Sequence, residues 1–318
     1  MNIAVISIMV ICAILYLSAA VWTLMRHGAR RRTIQRRNLL QDKYLLILTG
    51  YLYERQTPDG RFPFPQYGGR RSKMLLAETI AAFSAMNYGY DFTAMRKIVT
   101  YNDVDTFLFK RIKRSRSWYR IRYMQLLSLT GARDALLTGI KHLEKSENPY
   151  ESLFALLIRI SSAPELTVKS IREFPGTLSR RALPEIMLQL RRGFIPVAYE
   201  PMIRSNNENL KLLGIYIIRC FGIEDAQDIL YSLLDYPSSA VQDSALYALA
   251  AMKCSMAQKK VVESVSGMSF FQRRRLYKFL AAEGYSSRSL SALQSSERDS
   301  RLGGYMESLV NSYKRMLQ

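Results

Sequence analysis

Apolar and polar positions alternate along the chain in three regimes. The first is one unbroken apolar run, Ile3 to Met25 (IAVISIMVICAILYLSAAVWTLM), without a charged residue. As a helix it would extend roughly 34 Å, against a hydrocarbon core of ~30 Å. A helix satisfies its own backbone hydrogen bonds, so such a run predicts a single N-terminal transmembrane helix over 1–25. Trp22 stands where an interfacial aromatic would lie, and Arg26, Arg30, Arg31, Arg32, Arg36 and Arg37 follow directly. By the positive-inside rule the N-terminus would be outside and the rest of the chain cytoplasmic, at a bacterial inner (plasma) membrane. A cleaved leader would carry its basic residues before the apolar core rather than after it.

The second regime is helical but interrupted. Residues 26–55 read as a basic juxtamembrane helix whose Leu39, Leu40, Tyr44, Leu46, Ile47 and Leu48 form an apolar face. Residues 56–72 (QTPDGRFPFPQYGGRRS) read as a loop. Pro58-Asp59-Gly60 is a turn sequence, and Pro63 and Pro65 block helix and interior strand alike. Arg61, Phe62, Phe64, Tyr67, Arg70 and Arg71 make it a candidate binding loop for a partner or an anion. Helical periodicity returns over 73–87 and 92–101, and Asp103 or Asp105 is placed to cap the next helix. That helix would carry Lys110, Arg111, Lys113, Arg114, Arg116, Arg120 and Arg122 among Phe107, Phe109, Trp118 and Tyr119. Residues 73–116 thus form a basic helical part ahead of the third regime.

From 117 to 318 short amphipathic helices succeed one another, with no strand alternation. The breaks expected between them include Thr130-Gly131, Asn148-Pro149, Ala163-Pro164, Pro175-Gly176, Gly193, Ser205-Asn206-Asn207, Gly222, Tyr236-Pro237, Gly267, Gly284 and Gly303-Gly304. Two self-shifts, of about 31 and then about 30 residues, bring like positions together. They superpose Leu210, Val241 and Phe271, then Ile215, Leu246 and Leu276, then Ile218, Leu249 and Phe279. Helix pairs recurring at such a period predict a stacked array, because one pair cannot bury both its faces.

The stretch Asp235-Tyr236-Pro237-Ser238-Ser239-Ala240-Val241-Gln242-Asp243-Ser244-Ala245-Leu246-Tyr247-Ala248-Leu249-Ala250 resembles the first helix of a HEAT repeat, the armadillo-type α-solenoid, of the short bacterial kind. Gly214 and Ala245 match the small position where that repeat packs its helices closely. Gln242 departs from a frequent Arg, Arg275 takes the small position in the next unit, and upstream 150–160 and 178–190 fit only loosely, with Pro184 interrupting. The resemblance implies an all-α architecture, a right-handed solenoid of helix pairs. It implies a superhelical scaffold that binds other macromolecules and has no chemistry of its own.

Charge sharpens this picture. The chain has 46 Lys and Arg against 26 Asp and Glu, a net +20. The excess is +9 over 26–73 and +7 over 96–122, but only +6 over 123–318. Basic residues concentrated beside an anchor predict contact with anionic lipid, worth about 1 kcal/mol per charge at a membrane surface. Nucleic acid is the rival, but no nucleic-acid module accompanies the cluster. The three cysteines have no CxxC spacing and the two histidines, His27 and His142, lie far apart, which disfavours a disulfide framework and a zinc site. Cys220 and Cys254 read as buried small residues, and His142 as a surface or groove residue. G-x-S-x-G, P-loop, G-x-G-x-x-G and H-E-x-x-H patterns are all missing. The sequence therefore predicts no enzyme and no cofactor. It predicts a membrane-anchored scaffold for a protein partner, such as an accessory of an inner-membrane glycosyltransferase or envelope-assembly complex. The alternatives are a binder of nucleic acid or another anion through 110–122, and an enzyme whose site is assembled across repeats.

Overall fold

The computed structural model describes residues 3–53, 69–89, 92–192, 198–285 and 287–316, and among these every regular element is helical. In order they are α1 (Ile3–Tyr53), α2 (Arg70–Met86), α3 (Phe92–Tyr101), α4 (Val104–Arg114), α5 (Ser117–Thr130), α6 (Asp134–Leu143) and α7 (Pro149–Ser162). There follow α8 (Thr167–Arg172), α9 (Ala182–Arg192), α10 (Glu200–Ile203), α11 (Glu208–Phe221), α12 (Gln227–Ser232) and α13 (Ser239–Ala251). The last are α14 (Lys259–Ser266), α15 (Phe270–Ala282), α16 (Ser287–Ser296) and α17 (Ser300–Met316). Short 3-10 turns lead into α8 and flank α12.

The expected transmembrane span is overturned. Among the described residues no helix is long and apolar enough to cross a membrane. Ile3–Met25 is not an element of its own, because α1 continues through the arginine cluster to Tyr53 as one helix of 51 residues. Arginine is a good helix former, so the charge marks no boundary. The single-pass inner-membrane location and its orientation, both read from that span, fall with it.

The chain forms two compact units, Met1–Ser162 with Arg192–Phe194, and Ala163–Arg191 with Ile195–Gln318. In the first, Tyr44 and Leu48 on the distal half of α1 are buried, and this helix packs on α2. Helix α5 lies against α2, α4 and α7, and closes a core of Ile80, Phe83, Leu108, Ile112, Met124, Leu127 and Leu156. Gly139 on α6 meets the Phe109 ring so closely that a Cβ there would fall 2.7 Å from Cζ. The predicted cap of α4 is absent. Asp103 has left-handed backbone (φ 51°) and no capping bond. Asp105, fully buried, instead accepts two bonds from the Arg133 guanidinium (Nε 2.8 Å, Nη2 2.8 Å) and one from the Arg133 backbone N–H at 3.0 Å. That carboxylate ties the start of α6 to α4.

In the second unit the repeat is visible at both helix ends, and its period is 31 throughout. Asn207, Ser238 and Ser269 precede α11, α13 and α15 as N-caps. The side chain of Asn207 accepts the Leu210 N–H, and Ser269 forms a reciprocal capping box with Gln272. At the other end Gly222, Lys253 and Gly284 hold the left-handed conformation, at φ 61°, 60° and 68°. The next residue then donates back five positions. Ile223 reaches the Ile218 carbonyl at 3.2 Å, Cys254 reaches Leu249 at 3.0 Å, and Tyr285 reaches Leu280 at 3.3 Å. This is a Schellman closure repeated three times. The 30-residue shift expected for the third copy is therefore one residue short. It places Phe271 in the core, where it is 77% exposed, whereas a shift of 31 aligns the buried Ala245, Leu246 and Leu249 with the buried Leu276, Tyr277 and Leu280.

Three further expectations change. Gly303-Gly304 does not break a helix but lies inside α17. Pro184 sits in the first turn of α9, where its missing N–H breaks no bond, so it does not interrupt the helix. Cys220 is exposed, whereas Cys254 is buried as expected.

Candidate functional site

The basic run of 110–122 is divided between two helices, because the chain leaves helical geometry at Ser115 and Arg116. Its members consequently have different surroundings. Arg120 turns inward to Glu151 at 3.3 Å and to the Ser115 carbonyl at 3.1 Å. Arg122 pairs with Glu78 at 2.6 Å, and the same carboxylate takes Arg37. Lys113 lies 4.7 Å from the centre of the Phe109 ring, and Arg116 is exposed between the helices. Lys110, Arg111 and Arg114 share a hollow of about 620 Å³ with Arg70, Lys73, Thr106 and Phe107. Asp103, the one lining carboxylate among the described residues, is engaged by Arg133 at 2.9 Å and by Lys73 at 3.8 Å, so the five cations of the wall outnumber it.

The other predicted site residues are scattered. Arg26 stacks at 5.2 Å on Trp22, while Arg31 and Arg36 are exposed on α1. Arg71 is exposed at the start of α2. The side chains of Arg30 and Arg32, and the loop residues Arg61, Phe62, Phe64 and Tyr67, lie outside the described residues.

A second concavity, in the repeat unit, was not singled out by sequence. It measures about 550 Å³ and is walled by α11, α13 and α15, the first helices of three successive repeats, with Ser179, Arg180 and Arg181 before α9. Leu212, Ile215 and Tyr216 come from α11, Ser244 and Tyr247 from α13, and Arg275 and Phe279 from α15. A neighbouring hollow of about 390 Å³ shares Arg180, Tyr247 and Arg275 and reaches the exposed Phe271. The repeat explains the convergence. Tyr216 and Tyr247 occupy one register position in successive copies, and Ser244 and Arg275 another. The signal was therefore present in the 31-residue register, but a search for clustered charge cannot find arginines spaced one repeat apart.

Arginine and aromatic side chains interleave across this wall. Arg180 stacks 4.3 Å from the centre of the Tyr247 ring and pairs with Asp243 at 2.9 Å. Arg219 lies 5.3 Å over Phe279, whose ring tilts against Tyr247 at 5.2 Å. Such stacking holds a guanidinium's flat face while its N–H edge stays available to an acceptor. Tyr247 is buried and its hydroxyl donates to no acceptor among the described residues. Burial pushes this phenol above its ordinary range, and the nearby positive charge of Arg180 and Arg275 opposes the shift. Asp243 is the one carboxylate lining the two hollows, and it is taken by Arg180 and by Gln272 at 3.1 Å. Among the described residues no group of His, Cys, Asp and Glu is placed to hold a metal ion.

No protein-family model and no curated protein matches the chain.

Proposed function

We propose that the chain is a helical-repeat scaffold of the HEAT-like kind, a binding protein rather than an enzyme, and that its repeat unit holds a partner protein. One observation carries this reading. The first helices of three successive repeats turn arginine and aromatic side chains into one concavity, with an exposed Phe271 at its margin. Arginine and large aromatics are the residue types that dominate binding energy at protein interfaces. The test is crosslinked capture from extracts of the source cell with the wild-type chain, Phe271→Asp, and a charge reversal in the other unit, Lys110→Glu with Arg111→Glu. A protein recovered by the wild type and the 110/111 variant but lost with Phe271→Asp supports the reading. Equal recovery by all three would overturn it.

The five-cation hollow of the first unit favours a second reading, an anion-binding surface. It predicts oligonucleotide affinity that falls steeply with salt and is lost in Lys110→Glu/Arg111→Glu/Arg114→Glu. Affinity unchanged in that triple variant would remove it.

A further inference from the structure

We propose that the concavity of the repeat unit recognises a short acidic segment of the partner protein. Carboxylates of that segment would pair with Arg219 and Arg275, and one of its aromatic or aliphatic side chains would lie against Tyr216 and Phe279. The inference rests on the partner-binding reading and names the chemistry of what binds.

Charge complementarity is the first argument. Arg180, Arg181, Arg219 and Arg275 line a space of about 550 Å³, and the one carboxylate in reach, Asp243, is already engaged by Arg180. Among the described residues that line the wall, no further carboxylate stands beside Arg219 and Arg275. Planar, bidentate pairing is what makes arginine suited to a carboxylate.

The apolar part of the wall is the second argument. Leu212 and Ile215 floor the space, while Tyr216 and Phe279 flank it. A ligand of charge alone would leave that surface facing water, whereas an acidic segment carrying one large apolar side chain covers both. The buried Tyr247 hydroxyl adds a donor for which the described residues supply no acceptor. A buried donor left unsatisfied is costly, so an acceptor brought by a ligand would be favoured.

Nucleic acid fits this surface less well. The second unit carries 20 basic and 15 acidic residues, close to balance, so its arginines are a local concentration and not a track. Next to the Asp243 side of the groove lies a hollow lined by Asp235 and Glu263 as well as Lys260. A phosphate backbone with one charge per nucleotide would run onto those carboxylates, while a few side-chain carboxylates on a short segment would not.

The test uses the full chain, with a random dodecapeptide display library as the probe. Selections run in parallel on the wild type, on Arg219→Glu/Arg275→Glu, and on Phe271→Asp, each first shown to retain the wild-type helical signal and a cooperative melt. The expected outcome is enrichment of peptides rich in Asp and Glu with one Trp, Phe or Leu. Their affinity should drop at least about tenfold on the arginine double variant, and about tenfold between low and high salt. The charge-reversed groove should in turn enrich basic peptides, which a merely unfolded variant would not do. If the enriched peptides are neutral or basic on the wild type yet are lost with Phe271→Asp, the groove is a partner site and the acidic inference is overturned alone. If no enriched peptide responds to either variant, both readings fail. If a labelled oligonucleotide displaces the acidic peptides and binds tighter, with the same dependence on Arg219 and Arg275, the ligand is nucleic acid and the acidic segment is rejected.

Discussion

Three glycines on or next to one helix register show how the same residue type answers different demands. Gly222 and Gly284 stand just past the ends of α11 and α15 in left-handed backbone, with nothing within 4 Å of where a Cβ would be. Their requirement is conformational only. Alanine there should cost about 1 kcal/mol each, the penalty an L-residue meets in that region. Lys253 accepts this strain at the same place in the middle repeat, and bonds forward to Glu283. Gly214 has ordinary helical backbone, but a Cβ on it would sit 2.9 Å from Ile203 Cγ1, 3.1 Å from Met202 Cβ and 3.2 Å from the Tyr199 carbonyl oxygen. Helix propensity would reward alanine by about 1 kcal/mol, and overpacking costs typically 1–3. Two of the three contacts are with atoms that cannot swing aside, so Gly214→Ala should be net destabilising, and Gly214→Val more so. Chemical denaturation of the three alanine variants checks both claims. About one turn before Gly214, Lys211 is buried with its Nζ 2.6 Å from the Ile203 carbonyl and its charge over the Tyr236 ring. Burial lowers its pKa below the ordinary 10.5. The unfolded chain then holds more protons than the native one between the lowered value and 10.5, so the native state gains stability as pH rises through that window. Below the lowered value the penalty is present in full. Stability measured against pH for the wild type and Lys211→Met should therefore diverge in favour of the wild type with rising pH. Parallel curves would show that Lys211 does not titrate differently in the fold.

At the scale of the element, the helices themselves were legible where local chemistry decides them. Asn207, Gly222 and Gly284 are helix-end residues by type, and the breaks read at them stand. What was not legible is set by partners distant in sequence. Asp103 and Asp105 both look like caps of α4, yet Asp105 is recruited across 28 residues by Arg133 and Asp103 takes a left-handed turn instead. Gly303-Gly304 looks like a break, but Leu302, Met306 and Val310 around it are buried, and that burial carries α17 through both glycines. The apolar opening of α1 looked like a separate element because composition changes at residue 25, while the backbone geometry does not. The groove arginines were hidden for the same reason, since one repeat separates them. The Asp105–Arg133 pair is where an element-scale account can be tested. Asp105 is fully buried and accepts the Arg133 N–H and guanidinium together. Asp105→Ala should cost about 3 kcal/mol, because it strands a backbone donor and removes the counter-charge of Arg133. Since Arg133 keeps a third of its side chain in solvent, the loss should stay short of that for a wholly buried charge. Asp105→Leu with Arg133→Leu should recover part of the loss in a double-mutant cycle, and a cycle with zero coupling would refute the assignment.

For the molecule as a whole, the 31-residue period makes the second unit a chain of nearest-neighbour interfaces, and that fixes how damage should spread. Its last helices close the array. Leu290, Leu293, Leu302 and Met306 are buried, α16 packs on α14, and α17 packs on α15. Glu297 on the α16–α17 connection accepts the Tyr277 hydroxyl at 2.7 Å and pairs with Arg273 at 3.0 Å, so it satisfies the Tyr277 hydroxyl and supplies the counter-charge of Arg273 on α15. Deleting residues 286–318 uncovers the apolar faces of α14 and α15 and leaves Tyr277 and Arg273 without that carboxylate. At about 2 kcal/mol for each large apolar side chain left in water, losing four such contacts removes about 8 kcal/mol, much of the roughly 5–15 kcal/mol that holds a domain folded. In an array stabilised by neighbours the loss should nevertheless be graded. Amide exchange in the truncated chain should accelerate most in α14 and α15, less in α13, and least in α11, whose partners α8, α10 and α13 all remain. Uniform loss of protection from α8 to α15 would mean that the unit folds as one cooperative body. In that case the repeat would describe its sequence and caps, but not the way its stability is distributed.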